Sequence, residues 1–349
     1  STERVGSLDI IGNAYEYLIK EFADDSGHTA AEFYTNRTVV KLMTMIMDPQ
    51  PGESVYDPTC GSGGLLLNCA LHLKDEGKEY RTLKLYGQEI NLLTSAIARM
   101  NMFMHGIEEF DIVRGNTLSN PGLLENDELK KFNVILANPP YSIKSWDRKA
   151  FESDPHGRNV WGTPPQGCAD YAFQQHIQKS LDLGNGRSIS LWPHGILFRD
   201  AETEMRKKMI EQDQVECVIG LGPNLFYNSP MEACLLITKT NKEESKKGKV
   251  LIINAVKEVR QDKNIAYLEQ NNIDRIYNAY KSYADEDGFS KVVTIDEVLK
   301  YKASLNMALY VSNVDSSKTQ ISLDDALAKW QTSSEQLSNS MDQLFKELG

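Results

Sequence analysis

Two rhythms alternate along the chain. Short apolar segments are separated by longer stretches in which apolar positions recur every three or four residues. The short segments, at residues 54–56, 83–87, 112–114, 134–137, 188–192 and 215–221, predict strands. The longer stretches predict helices. The first covers residues 7–22, with Ile10, Ala14, Tyr17, Leu18 and Phe22 in step, and the second carries Val39, Leu42, Ile46 and Met47. Further helices follow at 65–71, at 93–100, from Ala169 onward and at 205–210. Strand and helix in alternation predict an α/β fold with a doubly wound, mainly parallel sheet covered on both faces. Residues 234–238 and 250–253 then read as a C-terminal antiparallel hairpin around the charged segment 241–249. From Gln261 the composition turns polar and helical. Ser322-Leu323-Asp324-Asp325 has the form of a capping box. Leu323, Ala326, Leu327, Trp330, Leu337, Met341, Leu344, Phe345 and Leu348 make an apolar stripe that needs a cover, from its own domain or from a partner helix. The pattern divides the chain into a helical N-terminal extension (1–26), an α/β domain (27–260) and a helical C-terminal region (261–349) whose stripe is a candidate for partner contact.

The totals narrow the class. A chain of 349 residues, 41% hydrophobic and 25% charged, suits a globular protein with a full core. No apolar run is long enough to span a membrane. Ser1-Thr2-Glu3-Arg4-Val5 lacks the basic stretch and apolar core of a signal peptide, so the cytoplasm is the expected compartment. The five cysteines include no Cys-x-x-Cys pair and read as reduced thiols. The six histidines show no ligand spacing, and no metal site is expected. A net charge of -11 argues against a protein that grips a nucleic-acid backbone unaided; a local basic groove or a basic partner would have to do it.

Candidate chemistry gathers at strand ends, where open α/β sheets bind ligands. The strand at 134–137 runs into Asn138-Pro139-Pro140-Tyr141. Neither proline can donate to a ladder and each restricts the residue before it, so the strand stops there. An amide, two rigid carbonyls and an aromatic ring suit a planar group bearing an exocyclic amine. The amide oxygen and a proline carbonyl accept its two N–H bonds, and the ring stacks on its face. The strand at 54–56 runs into Asp57 and a glycine-rich turn, Gly61-Ser62-Gly63-Gly64, ahead of a helix. Backbone can approach a ligand closely there, and the helix start offers free N–H groups. The turn is neither the lysine-bearing phosphate loop nor a clean G-x-G-x-x-G. The next strand leads to Glu89, placed to bind both hydroxyls of a ribose. The one after leads to Asn116, able to bond an adenine edge. Together these strand ends describe a nucleoside site. Thr35 or Asn36 is a candidate N-cap for a helix whose start can hold a carboxylate. The long polar segment 142–166 carries Trp146, Trp161, Lys144, Arg148, Lys149 and Arg158, a mixture that fits contact with nucleic acid or an extruded base. The plain alternative is a lid without specific contacts.

From about Leu8 to Val311 the chain resembles the modification (M) subunits of type I restriction-modification systems, which are adenine-N6 DNA methyltransferases. The resemblance rests on an ordered set of motifs. Residues 57–64 resemble the S-adenosylmethionine (SAM) loop, Glu89 the ribose-binding acid, and Asn138-Pro139-Pro140-Tyr141 the catalytic tetrad. Residues 31–37 resemble a Gly-Glu-Phe-Phe-Thr-Pro-Arg motif that contacts SAM, which assigns Glu32, Phe33, Tyr34, Thr35, Asn36 and Arg37 to the cofactor. Trp161-Gly162-Thr163-Pro164-Pro165, Ala169-Asp170-Tyr171-Ala172-Phe173, Gly195-Ile196-Leu197-Phe198-Arg199 and Asn224-Leu225-Phe226-Tyr227 resemble later signatures. Asn36 stands where Pro is usual, Cys168 where Asn is common, and Asn116 where Asp is common.

The resemblance implies a Rossmann-like SAM-dependent methyltransferase fold and methyl transfer to N6 of an adenine swung out of duplex DNA. Tyr141, Trp161 and Phe198 would contact the base. It also implies a separate specificity (S) subunit that reads the DNA, a second M subunit, and a restriction (R) subunit as a further partner. Two other readings share the same tetrad or pocket: a protein glutamine-N5 methyltransferase, and a SAM-binding scaffold without catalysis.

Overall fold

The computed structural model describes residues 35–225, 231–262 and 265–311, with positions 327, 330, 331, 333 and 334. The chain divides into two compact units, Ser1–Ser312 and Asn313–Gly349. In the first, nine strands form one sheet: β1 (Ser54–Asp57), β2 (Lys84–Glu89), β3 (Phe110–Arg114), β4 (Val134–Ala137), β5 (Arg187–Pro193), β6 (Val215–Leu221), β7 (Ala233–Lys239), β8 (Lys249–Ala255) and β9 (Ser290–Thr294). Their spatial order is β9-β8-β6-β7-β5-β4-β1-β2-β3. β7 runs antiparallel to β5 and β6, and β9 antiparallel to β8; every other pair is parallel.

The main helices are α1 (Arg37–Met47), α2 (Gly64–Asp75), α3 (Leu92–Met104), α4 (Asp170–Ser180), α5 (Thr203–Glu211), α6 (Gln270–Ser282) and α7 (Ile295–Lys300). They cover both faces of the sheet, as the alternation predicts. Val134 and Leu136 join the core under α1, α2, α3 and α6, while Ile135 and Ala137 join the core under α4, α5 and α7. This period of two is why β4 carries no polar residue: both of its sides are interior. Each such buried Ile or Leu contributes roughly 2 kcal/mol. All five cysteines are buried and unbonded.

Two expectations are corrected. The strands around residues 234–238 and 250–253 do not pair as a hairpin. β6 lies between them, antiparallel to β7 and parallel to β8. β6 is fully buried and apolar except for Glu216, which pairs with Lys239 and Lys246, and inserting it gives both neighbours a ladder on each edge. The α/β unit also does not stop at residue 260. β9 closes the sheet, and Val293, Val298, Leu305 and Val311 join its core. The helix expected at 7–22 and most of the C-terminal stripe lie outside the described residues; Leu327 and Trp330 are helical and exposed.

Candidate active site

β1, β2, β3 and β4 are parallel neighbours, so their carboxyl ends lie side by side. Asp57 ends β1 with its side chain buried, and its carboxylate accepts from the Thr59 N–H at 3.0 Å. Burial, reinforced by the charge of Glu89, pushes its carboxyl up to about 7. Glu89, at the end of β2, ties the two strand ends together. Its Oε2 accepts from the Gly61 N–H at 3.1 Å and its Oε1 from the Asn91 N–H at 2.8 Å. Gly63 caps α2 with φ +81°, a conformation that favours glycine. A Cβ there would sit 2.6 Å from Met102 Cε of α3. At Gly64 a Cβ would meet no protein atom within 4 Å, so the start of α2 stays open. Asn101 donates from Nδ2 to the Ser62 carbonyl at 3.1 Å, fixing the turn from beneath.

Immediately after the adjacent β4, the Asn138 amide is held at both ends. Its Nδ2 donates to Thr35 Oγ1 at 3.0 Å, and its Oδ1 accepts from the Tyr141 hydroxyl. Burial, then Cys234 and Asp170, hold the Tyr141 phenol well above its ordinary range, so it stays a donor. The next residue, Ser142, has φ +49°. Its N–H donates to Asp170 Oδ1 at 2.7 Å, and Arg199 donates from Nη2 to Asp170 Oδ2. Arg199 also donates from Nε to Glu202 Oε2 at 2.8 Å and from Nη1 to Ser142 Oγ at 3.4 Å. Cys168, Asp170 and Glu202 converge within reach of one cation, and the Arg199 guanidinium already supplies the positive charge. Phe198, beside Arg199, is 45% exposed. Asp170 and Arg199 belong to motifs noted in the sequence, but their pairing is tertiary and no spacing reveals it.

Other candidates fall elsewhere. Trp161 is only 1% exposed, so it cannot stack on a target base. Its ring meets Tyr171 edge-on at 6.4 Å and its Nε1 donates to Gln212 Oε1 at 2.8 Å, making it core. Asn36 is spent on structure. Its oxygen accepts from the Thr38 N–H at 3.0 Å and its Nδ2 donates to the Ala266 carbonyl at 2.8 Å. Asn116 folds back as well: its Oδ1 accepts from Leu118 N–H at 2.9 Å and Ser119 N–H at 3.3 Å, which leaves its amide nitrogen for a ligand. Arg158 is buried and Arg148 donates to the Pro164 carbonyl at 2.9 Å, whereas Lys144 and Lys149 are exposed. Arg37 is exposed at the start of α1; Glu32, Phe33 and Tyr34, with Phe226 and Tyr227, lie outside the described residues.

Comparison with known proteins agrees with this geometry. The family model for N-6 DNA Methylase matches residues 6–319. The type I restriction enzyme MjaVII methylase subunit of Methanocaldococcus jannaschii is 33% identical over 321 residues, covering 88% of this chain and 54% of that protein. The HindI methylase subunit of Haemophilus influenzae is 30% identical, over 89% of this chain and 70% of its own length. The crystal structure of a type I restriction-modification methyltransferase subunit from Streptococcus thermophilus superposes with a TM-score of 0.78 at 35% identity, over 87% of this chain and 64% of that one. The chain thus spans little more than half the length of the archaeal relative. Among the described residues no helix is long and apolar enough to cross a membrane. With the family model covering most of the chain, and the tetrad and glycine turn at neighbouring strand ends, the chain belongs to the N-6 DNA methylase family.

Proposed function

We propose that this chain transfers a methyl group from SAM to N6 of adenine in DNA, as the modification subunit of a type I restriction-modification complex. One observation carries the reading: the Asn138 amide, locked between Thr35 and Tyr141, stands at the end of the strand next to the glycine turn. The residues fit SAM. Gly64 leaves open space before α2, each Glu89 oxygen keeps a lone pair beyond the backbone N–H it accepts, and the buried Asp57 suits a cationic ligand. Gly61, Ser62, Gly63 and Gly64 would cradle it, and Asn116 would meet its base through the amide nitrogen. Thr35 and Arg37, with Glu32, Phe33 and Tyr34, are assigned to it by the resemblance of their motif.

When bound, SAM supplies an electrophilic methyl on a sulfonium. The chain's part is to prepare adenine N6, whose lone pair is delocalised into the ring. Thr35 fixes which end of the Asn138 amide faces the base. Tyr141 occupies one lone pair of Oδ1 and leaves the other for an amine N–H; the Pro139 carbonyl takes the second. Two acceptors so placed favour a tetrahedral nitrogen and stabilise the positive charge that develops on it, which is discharged when one of the two N–H protons is released to solvent. Alignment supplies the rest. Pro140 keeps the turn rigid, and the Tyr141 and Phe198 rings would hold the extruded base.

An S subunit would supply sequence recognition, which suits a subunit carrying a net charge of -11. A second M subunit and an R subunit would complete the assembly, in the cytoplasm. The test is transfer of radiolabelled methyl from SAM to unmethylated genomic DNA by this chain, with and without a cognate S subunit. Label on adenine N6 that depends on the S subunit is expected. Label on protein would overturn the reading in favour of a glutamine enzyme, and bound SAM without any transfer would favour a scaffold.

A further inference from the structure

The polar segment after the tetrad contains one arginine that does not face solvent. Arg158 is 2% exposed. It donates from Nη1 to the Thr117 carbonyl and from Nη2 to the Leu118 carbonyl, both at 2.7 Å. Asp154, four residues earlier, neutralises it and accepts from its Nε at 3.0 Å. Leu118 also donates its N–H to Asn116 Oδ1, so the guanidinium grips the same turn that Asn116 closes. From that turn the Thr117 hydroxyl donates to the Pro58 carbonyl, in the loop that follows Asp57.

A second path leads from the same guanidinium to β1. Nη1 of Arg158 lies 3.3 Å from Nδ1 of His176, and Nε2 of His176 lies 3.0 Å from the Tyr56 hydroxyl. Because Nδ1 faces a guanidinium donor, it is the unprotonated nitrogen, and Nε2 carries the hydrogen and donates to Tyr56. Tyr56 immediately precedes Asp57. One buried cation therefore links three strand-end loops: the segment after β4, the Asn116 turn after β3, and the loop after β1.

We propose that Arg158 is a positioning residue of the cofactor pocket. From the target side of the crevice it sets the Asn116 turn in register with the Asp57 loop, so that the SAM base meets a preformed wall. A lysine cannot reproduce this, since one ammonium cannot serve two adjacent carbonyls, a carboxylate and an imidazole in a fixed plane. The proposal rests on the SAM-binding reading above. It needs neither DNA nor a partner subunit, so the two can fail separately.

The test is calorimetric titration of the full chain with SAM, alongside thermal melting of each variant. Arg158→Lys should weaken SAM binding about tenfold. Thr117→Val, which removes only the hydroxyl link to Pro58, should weaken it about fivefold, and Thr117→Ser should restore it to within about twofold of the parent. If Arg158→Lys does not fold, the Thr117 pair carries the test. Folded Arg158→Lys and Thr117→Val variants that bind SAM as the parent does, with only their melting temperatures lowered, would reduce the network to a structural tie and overturn the proposal. A parent chain that binds no SAM would overturn both this proposal and the cofactor reading.

Discussion

The two walls of the crevice are made of different material. The wall after β1 and β2 is mostly main chain: glycine N–H groups, the cap of α2 and one carboxylate that reaches back to them. The wall after β4 is mostly side chain: Asn138 between Thr35 and Tyr141, and Ser142 pinned through Asp170 to Arg199. A main-chain wall fails when backbone freedom is removed. A side-chain wall fails when one functional atom is changed. The contrast predicts where single substitutions separate binding from chemistry.

The largest separation is expected at Asn138. Asn138→Ala should lower methyl transfer by about a thousandfold while the Kd for SAM stays within about twofold. Equal loss of SAM binding, read by calorimetry, would erase the distinction between the walls. Asp170→Asn should come next. It keeps the shape but loses the charge that orients Arg199 and Ser142, and kcat should fall about thirtyfold at unchanged SAM affinity. An unchanged kcat would remove Asp170 from the target wall. Gly63→Ala tests the other wall. A left-handed alanine costs about 1–2 kcal/mol, and its methyl would press on Met102. SAM binding should weaken about tenfold, with kcat at saturating SAM little changed. The last test is a titration, and it reads folding stability rather than binding. The Asp57 carboxyl sits at about 7 in the folded protein against 3.8 as an ordinary side chain. A raised acid stabilises the fold while protonated, fully below pH 4 or so, and that contribution is lost as pH rises through about 7. Urea melts at pH 5 and 8 should show the loss, roughly 1.4 kcal/mol per unit across the window, and Asp57→Asn should flatten it.

The centre of the sheet was legible because its strands are buried on both faces and so read as largely apolar runs between helical repeats. The tetrad and the glycine turn were legible because prolines and glycines mark chain geometry directly. The β6–β7–β8 order was not. Neighbours in sequence look like a hairpin, and only the competition of three buried strands for ladder edges puts β6 between β7 and β8. Trp161 and Arg158 misled for one reason. A polar segment makes an aromatic ring or a cation look exposed, yet both side chains turn inward to partners distant in sequence, Gln212 for one and Thr117 for the other. Asp170 with Arg199 was hidden in the same way: each stood in a visible motif, and nothing along the chain ties one to the other.

The five buried cysteines give the fold its own clock. Burial raises the thiols of Cys60, Cys69, Cys168, Cys217 and Cys234 above their ordinary range, so a thiol-directed dye finds almost no thiolate to attack in the closed protein. Each labelling event then records a moment of opening, and the sites are spread through the structure. Cys60 lies under the glycine turn, where a Cβ on Gly87 would come within 2.9 Å of its sulfur, while Cys217 and Cys234 lie in the middle of the sheet. Comparing their labelling rates would show how often the ligand-binding edge breathes while the rest of the molecule stays shut.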